Sequence, residues 1–83
     1  MNFSFDIQED FHGMLVEDAL KKLDKLVLDN DSASLMIVHG HGMGALKQAI
    51  HDYCNKSKYV ESFARGSTLN IPGGDGVTVI YTT

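Results

Sequence analysis

Apolar positions along this chain switch between a two-residue period and one near 3.6, and each switch marks an element. In FSFDI, Phe3, Phe5 and Ile7 alternate with polar residues as a half-buried strand does, and the extended reading continues toward Phe11. From Val16 the apolar residues Ala19, Leu20, Leu23, Leu26 and Val27 recur at threes and fours, with Glu17/Lys21 and Asp18/Lys22 as supporting pairs one turn apart. That spacing predicts an amphipathic helix ending near DNDS. LMIV at residues 35–38 is a short unbroken apolar run, as expected of a strand buried on both faces. A second helix is predicted from about Ala45, with Leu46, Ala49, Ile50, Tyr53 and Cys54 on one face and Lys47, His51 and Asp52 toward water. YVESFAR (59–65) and GVTVIYT (76–82) alternate as strands, and GSTLNIPGGDG between them reads as a long, turn-rich, mobile loop.

The order βαβαββ makes the first two strands a parallel pair joined by a right-handed crossover, so their carboxyl ends share one edge of the sheet. His12 follows the first strand and His39 the second. Both therefore face one crevice, where open α/β sheets usually bind ligands.

Length and composition add bounds. The chain has 83 residues, 43% hydrophobic and 22% charged, enough for one domain that buries about 60 to 65% of its extended surface. No apolar run approaches the roughly 20 residues that cross a bilayer, and no leader pattern precedes the first strand. The single cysteine, Cys54, fits a reducing compartment, so a cytoplasmic location is expected. A net charge of −4 disfavours binding of nucleic acid by charge alone. The charge is uneven, however: residues 1–31 carry eight acids and three lysines, whereas residues 32–83 carry three acids against Lys47, Lys56, Lys58 and Arg65. Only the second half is suited to face a polyanion.

The chemistry concentrates in HGHGMGAL. Gly40, Gly42 and Gly44 permit positive φ and a close approach of backbone to ligand, and the following helix offers unpaired N–H groups to an anion. The spacing is neither the dinucleotide G-x-G-x-x-G nor a P-loop. On spacing alone, a phosphate cradle and a tight strand-to-helix turn are equally good readings. His12 is the candidate for proton chemistry, since an imidazole accepts a proton from water or a ribose 2′-hydroxyl near neutral pH. Asp10 projects from the same strand face and is placed to orient it; the bland alternative is a hydrogen-bonded histidine at a strand end. His12, His39 and His41 could also be weighed as three zinc ligands, but no cysteine pair or H-E-x-x-H helix supports a metal site. Met36 reads as core, and Met43 as a loop side chain able to touch a base.

These residues resemble the small MutS-related (Smr) family. EDFHGM matches its first motif, Leu-Asp-x-His-Gly, through Asp10, His12 and Gly13, and HGHGMGAL matches its second, His-Gly-x-Gly-x-Gly-x-Leu, through His39, Gly40, Gly42, Gly44 and Leu46. GGDGVTVI resembles the family's closing strand, so the likeness covers nearly the whole chain. Two departures stand out: Glu9 replaces a usual apolar residue and puts negative charge beside the site, and His41 replaces a common lysine or arginine.

The resemblance implies a two-layer α/β sandwich, a four-stranded mixed sheet with two helices, like the C-terminal domain of translation initiation factor three. It implies an endonuclease or binding domain acting on DNA or RNA phosphodiesters, in recombination control or in rescue of stalled ribosomes, with magnesium or manganese as candidate cations. In that reading Asp10 and His12 are catalytic, and His39, Gly40, His41, Gly42, Met43, Gly44 and Lys47 hold the nucleic-acid phosphate. The expected partners are DNA or RNA, the ribosome, and the rest of a MutS-like chain from whose C-terminus residues 1–83 would be excised. A non-catalytic nucleic-acid or ribosome-binding module, and a protein-interaction domain, are the alternatives.

Overall fold

The computed structural model describes residues 4–42 and 44–83; Phe3 and Met43 lie outside them. The elements run β1 (Ile7–Asp10), α1 (Val16–Asp29), β2 (Ser34–Val38), α2 (Ala45–Lys56), β3 (Val60–Arg65), a single helical turn α3 (Gly66–Leu69), a 3-10 turn (Gly74–Gly76) and β4 (Val77–Thr82). The sheet order is β1-β2-β4-β3. β1 and β2 are parallel, and β4 runs antiparallel to both β2 and β3. This is the expected mixed four-stranded sheet with two main helices.

β1 begins later than the alternation of Phe5 and Ile7 predicts. Asp6 and Ser34 exchange side-chain hydrogen bonds with each other's backbone N–H groups, at 3.0 and 2.9 Å, so a side-chain clasp replaces the ladder before Ile7. Of the pairs expected along α1, the one through Lys22 gives way to a tertiary pair, and the helix carries Lys25–Asp29 instead, at 3.1 Å. Lys22 reaches Glu9 of β1 at 3.2 Å and lies over the Phe11 ring. The Glu9 carboxylate is thereby drawn toward α1, and the negative charge expected beside the site is partly compensated.

α1 and α2 cover one face of the sheet. Ala19, Leu23 and Val27 of α1 and Ile50 and Cys54 of α2 close over Phe11, Leu35, Ile37 and Ile80 in one buried cluster. Burial pushes the Cys54 thiol up to about 12, which keeps it protonated and unreactive. In β3 the register shifts between Val60 and Ser62; Glu61 is the extra residue of a bulge, so Val60 and Phe63, three apart, both pack against the helix-side core.

Residues 66–76 correct the mobile-loop expectation. Instead of hanging free, they fold into α3 and the 3-10 turn and lay Leu69 and Ile71 against Val77, Val79, Met36, Val38, Phe5 and Tyr81 on the second sheet face. The alternation of β2 requires such a cover, because Leu35 and Ile37 face the helices while Met36 and Val38 face away. Among the described residues no helix is long and apolar enough to cross a membrane.

Candidate nucleic-acid interface

At the carboxyl ends of β1 and β2 the chain turns twice. The N–H of Phe11 donates to the Val38 carbonyl at 2.7 Å and that of Met14 to the Phe11 carbonyl at 3.0 Å. Gly13, with φ +81°, makes the bend into α1. This lifts His12 to the surface. Its imidazole lies over Gly40: a methyl added there would sit 2.9 Å from His12 Cδ2. The two motifs therefore meet in space through His12 and Gly40, and Gly40, with φ +83°, is required for both its backbone angle and its missing side chain.

Asp10 acts differently from the expected side-chain pair. Its Oδ1 accepts the backbone N–H of His12 at 2.8 Å, and no hydrogen bond joins it to the ring among the described residues. An aspartate readily bonds the main chain two residues on, and the chain has left the strand by His12. Asp10 thus shapes the turn that carries the imidazole.

His39 corrects its expected phosphate contact. It continues the buried alternation of Leu35 and Ile37 and is 5% exposed. Its Nδ1 lies 3.0 Å from the Gly40 carbonyl and its Nε2 2.9 Å from Thr78 Oγ1, so both ring nitrogens are engaged inside the protein. His51, expected in water, is only 8% exposed. Its Nε2 is 2.9 Å from the same Thr78 hydroxyl, and its ring packs on Phe63. Burial lowers both imidazoles below the ordinary 6.5; nearby Lys47 adds to the effect in each case, as does Arg65 for His51. The Gly40 carbonyl opposes the shift at His39 and Asp52 opposes it at His51.

The loop is tied from below by Gly76, whose carbonyl accepts the N–H groups of His39 and Gly40 at 2.9 and 3.0 Å. His41 is exposed and its ring lies beside Gly76, where an added methyl would come within 3.0 Å of Nε2. Gly44, with φ +84°, is the N-cap of α2, and no side chain caps that helix. Its first-turn N–H groups lack intrahelical acceptors. Gly42 is exposed, has no positive φ, and would meet nothing within 4 Å if a methyl were added. Lys47 stands in the first turn of α2. Met43 lies outside the described residues.

Reasoning from sequence missed Asp75 and Arg65. Ser67 Oγ donates to Asp75 Oδ1 at 2.6 Å, and this bond, then the charges of Lys47, Arg65 and His41, holds the exposed Asp75 carboxyl below its usual range. Basic side chains from α2, β3 and the loop thus act by charge on one acid at this end of the sheet. Only tertiary structure gathers them, since they come from separate elements. Among the described residues no three histidine, cysteine or carboxylate side chains group to hold a metal ion.

Comparison with known proteins agrees with this geometry. The Smr domain model matches residues 9–83. An endonuclease MutS2 of Anaeromyxobacter is 44% identical over 75 residues, covering 86% of this chain and 9% of the relative. One of Symbiobacterium thermophilum is 41% identical over 73 residues, covering 84% and 9%. The crystal structure of the Smr domain of Thermus thermophilus MutS2 superposes with a TM-score of 0.76 at 36% identity, covering 92% of this chain and 96% of that one. The chain thus spans about a tenth of the length of these curated relatives and nearly all of the solved domain. With both motifs meeting at one sheet edge, and with the family match running through β4, this chain belongs to the Smr domain family.

Proposed function

We propose that this domain is a nuclease module that cleaves nucleic-acid phosphodiesters, with His12 as general base. The observation that carries the reading is the seating of the exposed His12 imidazole on Gly40, at the sheet end that also carries the uncapped start of α2. In the proposed reaction a phosphate oxygen rests against the backbone of residues 40–44 and the first turn of α2, with Lys47, His41 and Arg65 around it. His12 takes the proton of the attacking water, or of a ribose 2′-hydroxyl, as the new P–O bond forms and the P–O bond to the leaving oxygen breaks, that oxygen taking a proton from solvent. Asp10 is a positioning residue that holds the His12 main chain. Magnesium and manganese enter as assay variables.

The relatives are named endonucleases, which supports the reaction class. Branched DNA as preferred substrate would point to recombination control, and RNA to rescue of stalled ribosomes. Asp75 among the loop cations favours one second reading, weak binding without cleavage, because an acid at the mouth opposes a phosphate.

The test incubates the purified domain with labelled single-stranded, duplex and branched DNA and structured RNA, with and without magnesium or manganese, beside His12→Ala. Cleavage that falls by roughly 10² to 10⁴ in the variant, with binding little changed, is the expected result. Equal cleavage by the variant would remove His12 from the role, and binding without cleavage by the parent would favour the second reading.

A further inference from the structure

Beneath the exposed loop, the donor and acceptor capacity of each partner assigns the protons. The Gly40 carbonyl can only accept, so the ring nitrogen facing it, His39 Nδ1, carries the proton. In a neutral ring His39 Nε2 is then an acceptor, and the partner 2.9 Å away, the Thr78 hydroxyl, must donate to it. With its proton committed, Thr78 Oγ1 accepts from His51, whose proton therefore sits on Nε2. The result is a one-way chain, His51 to Thr78 to His39 to the Gly40 carbonyl, running from α2 through β4 to the turn on which His12 rests.

We infer that Thr78 and His51 are positioning residues, which through this chain fix the Gly40 peptide and so the seat of the His12 imidazole. The inference rests on the nuclease reading only for its effect on cleavage. Two further bonds pin the two preceding peptide units, from the N–H groups of His39 and Gly40 to the Gly76 carbonyl, so Gly40 is held through the peptides on both sides of its Cα. His39 is the acid-sensitive member. A proton on its Nε2 makes it a donor, and the Thr78 hydroxyl then faces two N–H groups while its own proton loses its acceptor. Around His39 stand Thr78, Gly40, His41, and His51 and Lys47 of α2; around His51 stand Thr78, His39, Lys47, Asp52, and Phe63 and Arg65 of β3. Burial, supported by charged neighbours that are mostly cationic, keeps both rings neutral and the chain intact near neutral pH.

Long-range ¹H–¹⁵N spectra of the labelled protein at pH 7.5 test the chain directly. The expected result is His39 protonated on Nδ1 and His51 on Nε2; His39 protonated on Nε2, or both rings averaging between tautomers, would overturn it. Function is tested with Thr78→Val, which keeps the shape and loses the hydroxyl, and Thr78→Ser, which keeps the hydroxyl and loses a methyl. Cleavage is expected to drop about tenfold or more in Thr78→Val, as for a displaced reacting group. Thr78→Ser is expected to stay within about threefold of the parent. A simple packing role predicts the reverse order, and that order would end the proposal. If the parent cleaves nothing, the nuclease reading fails and the positioning is read from the cross-peak between the His12 ring and Gly40. Its loss in Thr78→Val with retention in Thr78→Ser supports the chain, and retention in both overturns it.

Discussion

Two pairs of histidines occupy one end of this sheet, and they differ in almost every respect. His12 and His41 are exposed on the rim, whereas His39 and His51 are buried beneath it and share the Thr78 hydroxyl. The upper pair is open to a ligand. The lower pair is hydrogen-bonded within the protein, and burial holds both of its members below the ordinary histidine value. Residue type therefore says little about role here; the layer in which the ring sits decides between chemistry and support.

The sharpest break of this comparison is the exchange of one histidine from each layer. His12→Ala should lose roughly 10² to 10⁴ in cleavage rate and leave the melting temperature within a degree or two, since an exposed side chain contributes little to folding. His39→Ala should do the opposite at first reading, destabilising by about 2–4 kcal/mol through a cavity and an orphaned Thr78 hydroxyl. In a domain of this size that corresponds to a fall of roughly 10–20 °C in melting temperature. A large melting loss in the first variant, or none in the second, would contradict the two-layer division.

Gly42 sharpens the upper layer. Because its φ is not in the left-handed region and the space around it is open, alanine there should fold as the parent does. If an oxygen of phosphate approaches the main chain at that point, affinity for nucleic acid should fall by about 1–2 kcal/mol, the scale of a charge-assisted hydrogen bond. Equilibrium binding and melting on the same sample check both halves, and unchanged affinity would remove Gly42 from the cradle. Gly40→Ala makes a useful contrast, since it strains the backbone and strikes the His12 ring.

Acid should find the lower layer. His39 and His51 have folded values below 6.5, so between those values and 6.5 the unfolded chain binds more protons than the folded one, and stability falls as pH drops. Urea midpoints should be flat from pH 8 to about 7 and decline below about 6.5, with the decline reduced in His51→Phe. A midpoint independent of pH down to 5.5 would show that these rings are not neutral in the folded protein. The smallest effect is expected at the rim: His41→Lys adds one fixed cation and should tighten duplex DNA binding a few-fold, steepening the salt dependence by about 0.9 in log–log slope.

Much of the scaffold was legible because it rests on local periodicity. The threes and fours of α1, the unbroken run of β2 and the alternation of β4 each require burial on known faces, and burial of those faces leaves few arrangements of two helices on a mixed sheet. The meeting of His12 with the glycine loop was legible too, since parallel strands must end at the same edge. His39 could have been placed correctly, as it extends the two-residue period of Leu35 and Ile37 into the core. His51 was harder. It lies one turn after Lys47 and three residues before Cys54, on the border of the helix stripe, and a polar residue on a border reads as solvated until the position of the neighbouring strands is known.

What the sequence by itself determined, then, is the two main helices and four strands, the edge at which the motifs meet and the family to which they belong, because periodicity and motif spacing are properties of consecutive residues. Only the tertiary structure decided which histidines are free. Thr78 and His51 are 27 residues apart and His39 and Thr78 are 39 apart, and nothing local to any of them specifies a shared hydroxyl. The packing of α2 against β4 on the helix-side face does so, by removing water from one pair of rings and leaving the other pair in it.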